Sequence, residues 1–369
     1  MSAITTEEQT AMCDSFARLL AEKSGEAQVR DAMETSLGYD PGLWAAMAEM
    51  GLLGVIIDPA NGGIGGGAVL LEALLEEAGK HLLCSPFIST SVIAASLISA
   101  SEADGSQADL LAAICAGDLI FAVAATGEKG LWTTEDIELR AESNGDAWTV
   151  DGTAAYVLHA EGAHQFLLLA RTADGVGAFV ADAGQDGITR EAMQANDPGL
   201  RLSRIRCSAV KARMLPGVDE SAIDAALNLA RIAQAGEHAG GVKRIFDITI
   251  EYLQTRHQFG RQIGSYQSLK HIAADMLVEV ESATSAARHA ARAWDAGAED
   301  TQTLVSLAAF AGADAYRDVT AQAIQLHGGI AYTWEHPAHL FWRRARTGLW
   351  LFGSSDQHRE SYLASLENA

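Results

Sequence analysis

The sequence predicts a multidomain α+β protein in which helical regions flank a β domain. A chain of 369 residues exceeds what one simple hydrophobic core usually supports, so two or three domains are expected. Apolar residues recur at helical spacing near both ends of the chain and fall into short runs in the middle. We therefore predict a helical domain at 1–117, an antiparallel β domain at 118–216 and a helical bundle at 217–369.

The first domain is predicted to be helical because segments 43–56 and 69–83 carry apolar residues three and four positions apart. Between them lies a glycine-rich stretch, 59–67. It follows no clear strand and lacks the downstream acidic residue of a dinucleotide-binding βαβ unit. We interpret it as a loop between helices.

The second domain is predicted from short apolar or alternating runs that Gly, Asp and Asn interrupt, a pattern typical of antiparallel sheets. These runs are 119–126, 137–143, 148–158, 165–172, 176–183 and 208–215. The third domain has three long, alanine-rich helical patterns, which favour a bundle of closely packed helices. They cover 224–256, 269–297 and 303–328.

The charge balance limits the possible partners. The chain has 48 Asp and Glu against 26 Lys and Arg, a net charge of −22. Such a surface repels nucleic acid and anionic membranes, so we expect neither as a partner. The phosphates of a cofactor would need local Arg side chains or backbone N–H groups.

Two further observations concern location. No apolar run reaches the length of a membrane span, and the N-terminus is too acidic and polar for a signal peptide. The 4 Cys are scattered without CxxC spacing, which argues against a zinc site or a disulfide framework. We expect a cytoplasmic protein.

Two motifs carry chemistry. In 256–271 a helical pattern ends at Arg256, whose guanidinium can bind a diphosphate with two hydrogen bonds, while Phe259 can stack on a flat ring. In 325–337 a helix runs into Gly328 and Gly329, which permit close approach to a ligand. Taken singly, the first motif would be better explained as a helix end with a glycine C-cap, and the second has the same alternative explanation.

Together the motifs resemble the acyl-CoA dehydrogenase family. The patterns are R-x-x-F-G-x-x-I-x-x-x-Q from Arg256 and Q-L-H-G-G-I-A-Y from Gln325, and the N-terminal stretch 43–67 is also similar. The resemblance implies an N-terminal helical domain, a middle β-barrel-like domain and a C-terminal four-helix bundle, assembled as a homo- or heterotetramer. It also implies FAD held partly across a subunit interface, an acyl-CoA substrate and an electron-transfer flavoprotein as acceptor. The expected role is degradation of fatty acids or steroid side chains.

The resemblance also assigns site residues. The expected FAD contacts are Thr126, Tyr156, Leu158, Arg256, Phe259, Gln267, Gln325, Gly328, Gly329 and Ser354. Tyr156 and Leu158 stand where most members have Trp and Thr, so hydrogen bonds to the flavin ring are in question. Arg231 is expected to bind substrate.

The catalytic base is missing from both positions that the family uses. Dehydrogenation needs a carboxylate against the α carbon of the thioester. The two positions hold Phe352 and Ala230. Two carboxylates lie nearby in sequence, Glu237 and Asp356, and either could be the base. The alternatives are a solvated or capping carboxylate for Glu237 and a helix N-cap for Asp356.

Three functions therefore stay open. The chain is an FAD-dependent acyl-CoA dehydrogenase, active alone or with a partner, that transfers a hydride to flavin N5 and makes an α,β-unsaturated acyl-CoA. Alternatively, it is a base-lacking subunit of a heteromeric dehydrogenase, or a flavin oxidase or monooxygenase of the same fold. The pair Gly240 and Gly241 suggests room for a bulky acyl group. A metal site is not expected, because the sequence has one small group of possible metal ligands and no further His or Cys framework to support it. The residues of this group are His336, His339, His358 and Glu360.

Overall fold

A computed structural model describes residues 5–103, 105–145 and 147–367. The N-terminal part is helical, as predicted, and a π-helical segment, Ile88–Ala94, leads into its fifth helix. The helices are α1 (Thr6–Lys23), α2 (Glu26–Glu34), α3 (Pro41–Glu49), α4 (Gly67–Lys80), α5 (Ala95–Ala100) and α6 (Gly105–Ala116).

The middle part is a closed sheet. Its strands are β1 (Phe121–Ala124), β2 (Arg140–Asn144), β3 (Ala147–Leu158), β4 (Gln165–Thr172), β5 (Gly175–Asp182), β6 (Ile188–Met193) and β7 (Leu202–Leu215). The pairings run β4–β2–β3–β7–β5 and return to β4, which closes a barrel, while β1 pairs with β4 and β6 with β7. The barrel-like fold class is confirmed.

The sheet differs from the prediction in two respects. β1 and β2 both pair with β4 in parallel, so the sheet is not wholly antiparallel. Parallel pairing requires a long connection, and here it contains other strands: β2 and β3 lie between β1 and β4 along the chain, and β3 lies between β2 and β4. The strand β6 was not predicted, because its residues are mostly exposed or half-buried and carry little apolar signal.

The C-terminal part is a helical bundle. Its helices are α7 (Glu220–Thr255), α8 (Gln267–Ala296), α9 (Thr301–His327), α10 (Ala338–Gly348) and α11 (Ser355–Glu367), and a short hairpin, β8 (His257–Gln258) and β9 (Arg261–Gln262), joins α7 to α8. α7, α8 and α9 pack on one another and α11 packs on α9, which confirms the four-helix bundle.

The glycine-rich loop before α4 serves helix packing. Asp295 of α8 accepts hydrogen bonds from the backbone N–H groups of Ala68 (2.7 Å) and Val69 (2.9 Å) at the first turn of α4. Gly67 has a left-handed φ of 74°, and a Cβ there would lie 2.7 Å from the Asp295 carboxylate. The loop therefore lets α8 cap α4, in agreement with its interpretation as a loop between helices.

Glycines on α7 also permit close packing, and this contradicts the expectation of room beside them. A Cβ on Gly240 would collide with the backbone carbonyl of Glu76 in α4. A Cβ on Gly241 would lie 2.6 Å from the phenol of Tyr316 in α9. The space beside this pair is filled by a helix backbone and an aromatic ring, so it cannot hold an acyl group.

No helix in the described ranges is both long enough and apolar enough to cross a bilayer.

One carboxylate in α4 makes stability depend on pH. Glu72 is 3% exposed, and burial together with the nearby Glu76 raises its pKa to about 7. The folded state keeps this proton to about pH 7, whereas the unfolded chain releases it near pH 4.5, so stability falls as pH rises through that window.

Replacing Glu72 with glutamine is therefore expected to raise the free energy of unfolding at pH 8 by up to roughly 3 kcal/mol, with little change at pH 4.5. Urea denaturation at the two pH values measures this difference. The exposed carboxylate Glu49 of α3 serves as a control, and its replacement by glutamine should change neither value by more than about 0.5 kcal/mol. Equal effects of the Glu72 substitution at both pH values would contradict the account.

Candidate active site

The two positions expected to hold the base lie in the interior, and a pair of aromatic rings occupies the space there. Ala230 of α7 and Phe352, in the loop before α11, are both fully buried. The Phe352 ring meets the ring of Trp132 edge to face, with centroids 4.9 Å apart. Trp132 belongs to the loop after β1 and is 2% exposed. We call these two residues the aromatic pair.

Arg231 fixes the backbone of both members of the aromatic pair. Its Nε donates to the Phe352 carbonyl (2.9 Å) and its Nη2 to the Trp132 carbonyl (3.1 Å). Phe352 and Trp132 have φ values of 61° and 54°, in the left-handed region that costs energy for residues other than glycine. Such conformations persist where the surroundings enforce them, and the Arg231 fork is one of those constraints. The predicted substrate-binding residue therefore holds this chain's own backbone.

The aromatic pair stands between two cavities of different character. The outer cavity, about 200 Å³, is polar and is lined by Trp132, Asn228, Arg231, Gln302, Gln357 and His358, among others. The inner pocket is mainly apolar and is lined by Leu75, Phe87, Leu158, His159, Glu237 and Phe352, among others. Its volume of about 30 Å³ suits one or two water molecules. In this conformation the inner pocket cannot hold an acyl chain.

Glu237 lines the inner pocket but is committed to a buried ion pair. Arg344 of α10 is 2% exposed and forms short ion pairs with Glu237 and with Asp197 of the β domain. Its guanidinium also donates to the carbonyls of Leu82 and Leu83, both at 3.3 Å, after α4. One arginine thus joins the N-terminal helices, the β domain and the bundle. This cluster of Asp197, Glu237 and Arg344 is called the buried triad below.

Two residues at the start of α11, Asp356 and Ser354, contact neighbouring residues of the same segment. The Asp356 side chain is 97% exposed and lies 3.4 Å from Arg359, pointing into solvent. The Ser354 N–H donates to Gln357 Oε1 (2.8 Å), and the Gln357 N–H donates to Ser354 Oγ (3.3 Å). This reciprocal pair is a helix-capping arrangement.

Two buried histidines line the cavities. Burial lowers the pKa of His159 to about 4, and burial together with Arg231 lowers the pKa of His358 to about 4. Both imidazoles are therefore neutral at pH 7.

The three expected contacts to the flavin ring offer little hydrogen-bonding capacity. The Thr126 hydroxyl donates to Asp136 Oδ2 (2.6 Å) and accepts from the Trp132 N–H (3.2 Å). The Tyr156 hydroxyl donates to the Glu128 carbonyl at 3.5 Å. Leu158 is buried and has no polar side-chain atom. These three side chains therefore offer no free donor to a flavin ring.

The remaining expected FAD contacts meet at one end of the bundle. Tyr252, in the last turn of α7, stacks on His327 at the end of α9 with ring centroids 4.5 Å apart, so the two helices end side by side. This arrangement, with α8 starting at the same end, brings together Arg256, Phe259, Gln267, Gln325, Gly328 and Gly329. All of them are exposed, and Phe259 reaches 92%. We call this group the bundle-end site.

The bundle-end site has free capacity for a ligand. Among the described residues, the Arg256 side chain has no hydrogen-bond or ion-pair partner, and the positions where Gly328 and Gly329 would carry a Cβ face open space. Arg231 of α7 lies 25 residues before Arg256, the residue that follows this helix, which corresponds to about 37 Å along the helix axis. The bundle-end site and the aromatic pair are therefore separate places on one chain.

Sequence reasoning missed Trp132, Asp197 and Arg344. Trp132 lies in a loop, where hydrophobic periodicity gives no signal. The charges of the buried triad come from distant positions that pair only in the fold. The residues considered as metal ligands also lie in different places: His358 packs against Gly353, whereas His336 lies beside His327. Within 5–103, 105–145 and 147–367 no three His, Cys, Asp or Glu residues are arranged to hold a metal ion.

Comparison with known proteins shows which family has this architecture. Residues 6–118 match the model of the acyl-CoA dehydrogenase N-terminal domain, and residues 221–366 match that of the acyl-CoA dehydrogenase C-terminal domain. The acyl-CoA dehydrogenase IpdE2 of Mycolicibacterium smegmatis is 30% identical over 94% of this chain and 95% of its own. The acyl-CoA dehydrogenase FadE34 of Mycobacterium tuberculosis is 32% identical over 94% of this chain and 46% of its own.

Solved structures agree in fold. A variant of the Tcur3481-Tcur3483 steroid ACAD superposes with a TM-score of 0.89 at 27% identity, over 98% of this chain and 99% of that chain. The ChsE4-ChsE5 complex from Mycobacterium tuberculosis has a TM-score of 0.90 at 23% identity, over 100% of both chains. The matched domains and the near-complete alignment with IpdE2 show that this chain belongs to the acyl-CoA dehydrogenase family of FAD-dependent oxidoreductases.

Proposed function

We propose that this chain is the base-lacking subunit of a heteromeric, FAD-dependent acyl-CoA dehydrogenase. In this proposal its bundle-end site holds the nucleotide part of an FAD whose flavin ring lies in a partner chain, and the partner supplies the proton-abstracting carboxylate. The electrons pass on to an electron-transfer flavoprotein. A cytoplasmic location is part of the same proposal.

The observation that carries the proposal is the aromatic pair. It lies between the outer cavity and the inner pocket, and one of its members, Phe352, stands at one of the two positions where the family is expected to carry its base. The reaction needs a thioester carbonyl and its α carbon to lie against a carboxylate. Here two aromatic rings stand at that place, and Arg231 bonds to their backbone. A chain built this way fits a supporting role better than an independent catalytic one.

The surroundings of the two carboxylates considered as bases also favour a base-lacking subunit. Glu237 is held by Arg344 inside the protein, and a base in that ion pair would have to break it before reaching substrate. Asp356 points into solvent beside Arg359. The steroid ACAD whose structure is similar to that of this chain is named Tcur3481-Tcur3483, after two different chains, which supports a heteromeric assembly.

The fit to FAD is divided between the two places on the chain. When bound, FAD supplies the acceptor for the hydride that leaves the β carbon. At the bundle-end site, Arg256 can bind the diphosphate with two charge-assisted hydrogen bonds, Phe259 can stack on the adenine, and Gly328 and Gly329 leave room for close approach. At the aromatic pair, Thr126 and Leu158 offer no free donor to the ring.

Turnover of an acyl-CoA tests the assignment of the base. The chain purified alone is expected to be inactive, and co-expression with a base-carrying member of the family from the same genome should give an active complex. Glu237→Gln and Asp356→Asn in this chain should leave the kcat of that complex within about twofold, because neither removes the α proton. Steady-state rates with a dye acceptor measure this.

Two other results would lead to different assignments. Turnover by the chain alone, abolished by one of the two substitutions, would establish its own base and overturn the proposal. Release of hydrogen peroxide in step with turnover would instead assign the complex to the oxidase or monooxygenase class.

A further inference from the structure

A third cavity, separate from the two beside the aromatic pair, opens on the surface between α9 and α10. It has a volume of about 280 Å³ and is lined by Ala321, Ile324, Tyr332, Trp334, His339, Trp342 and Arg343. Two of the aromatic rings are largely accessible, with Tyr332 79% and Trp334 51% exposed. We call it the aromatic cavity. Large aromatic residues left this accessible offer flat surfaces for stacking.

Guanidinium groups surround the aromatic cavity. Arg30 of α2 lies 4.9 Å from the Trp334 ring centroid, and Arg346 lies 5.3 Å from that of Trp342. Arg343 donates one N–H to the Asn196 carbonyl (3.0 Å), and the rest of its fork has no partner among the described residues. Arg30 is paired with Glu26 (2.6 Å), so the positive charge available to an anion comes from Arg343 and Arg346, on a chain with a net charge of −22.

His339 places a polar group at the wall of the aromatic cavity. The residue is 8% exposed, its ring lies 4.9 Å from Trp334, and its Nε2 has no hydrogen-bond partner. Burial lowers the pKa of this imidazole, so it is neutral at pH 7 and can exchange one hydrogen bond with an uncharged group. Buried polar atoms are normally paired with protein or water, so His339 Nε2 is available to bond with a molecule that enters the aromatic cavity.

We propose that the aromatic cavity binds a purine nucleotide. In this arrangement the base stacks on Trp334 and Tyr332, His339 Nε2 bonds to the edge of the base, and the phosphate lies against the free part of the Arg343 fork. The observed chemistry, flat aromatic surfaces with a single neutral hydrogen-bonding atom and nearby guanidinium groups, matches a flat heterocycle that carries an anion.

The aromatic cavity is distinct from the bundle-end site, although the two are neighbours. Tyr332 ends the short helical turn that starts at Gly328. The proposed nucleotide contacts, however, come from other residues than Arg256 and Phe259. The inference therefore does not rest on the proposed function, and substitutions can separate the two sites.

Isothermal titration calorimetry of the purified full chain with AMP and ADP tests the proposal. We expect saturable binding that is weaker for UMP, whose smaller base stacks less. Trp334→Ala should weaken AMP binding by roughly 5- to 150-fold, the effect of losing one stacking surface. His339→Leu should weaken it as well. Coenzyme A, titrated in parallel, shows whether a free nucleotide or the nucleotide end of a larger molecule is preferred.

Two further variants locate the binding. Trp350→Ala removes a tryptophan that is 66% exposed and does not line the aromatic cavity, and this variant should bind AMP like the unmodified chain. Loss of AMP binding on Arg256→Gln would instead place the nucleotide at the bundle-end site and overturn the proposal.

Three further outcomes would overturn the proposal. The first is the absence of saturable AMP or ADP binding up to about 1 mM. The second is unchanged affinity in the Trp334 and His339 variants when circular dichroism shows them folded. The third is binding by the chain alone that disappears in the complex with its partner chain, which would make the cavity part of a subunit interface.

Discussion

Replacing Arg344 with methionine is expected to lower the free energy of unfolding by about 3–5 kcal/mol. The substitution leaves Asp197 and Glu237 buried without a counter-charge, and it also removes the donors to the carbonyls of Leu82 and Leu83. Breaking one side of a buried ion pair costs more than the pair contributes, because the remaining charge cannot regain its hydration. Urea denaturation followed by circular dichroism measures the loss.

Two comparisons separate this effect from a general sensitivity to arginine replacement. Arg359→Met removes a surface ion pair with Asp314 and should cost no more than about 1 kcal/mol. Adding Asp197→Asn and Glu237→Gln to Arg344→Met removes the unpaired charges and should recover part of the lost stability. If Arg344→Met cost no more than Arg359→Met, the buried triad would not join the three parts of the fold as described.

Replacing Arg256 with glutamine is expected to weaken FAD binding by about 10- to 150-fold. The reason is the loss of two charge-assisted hydrogen bonds to the diphosphate, worth roughly 1.5–3 kcal/mol. The side chain is exposed at the end of α7 and has no competing partner among the residues described, so stability should change little. FAD content after gel filtration, and titration of the apoprotein with FAD, report the affinity of the complex.

Arg292→Gln is the matched control for this experiment. Arg292 is exposed near the C-terminal end of α8, while the bundle-end site contains the first residue of that helix. Its replacement should leave FAD affinity unchanged. Equal affinity in the Arg256 variant and the unmodified complex would show that the bundle-end site does not hold the diphosphate.

Much of the architecture could be predicted because its signals are local. The long alanine-rich patterns of α7, α8 and α9 and the glycines after α9 are visible within single segments of sequence. The strand β6 lacked such a signal, since most of its side chains are exposed or half-buried. The parallel pairings of β4 join strands that are separated by other strands along the chain, which a local pattern does not specify.

The candidate site was less predictable because its main features join distant segments. The sequence predicts that Phe352 and Ala230 stand at the positions expected to hold the base, but it does not show that Trp132 packs against Phe352. Glu237 was a reasonable candidate until Arg344, 107 residues away, was seen to hold it. Gly240 and Gly241 suggested space, whereas the fold uses them for close packing. In each case the sequence shows the residue and the fold determines its neighbour.

Exchange of the α protons of a saturated acyl-CoA in D₂O tests most directly whether this chain has a catalytic base, because it reports proton abstraction without requiring hydride transfer. The FAD-loaded chain alone is expected to show no deuterium incorporation above the uncatalysed rate, while the complex with a base-carrying partner incorporates it readily. Incorporation by the chain alone, lost on Glu237→Gln or Asp356→Asn, would contradict the account, since the base would then belong to this chain.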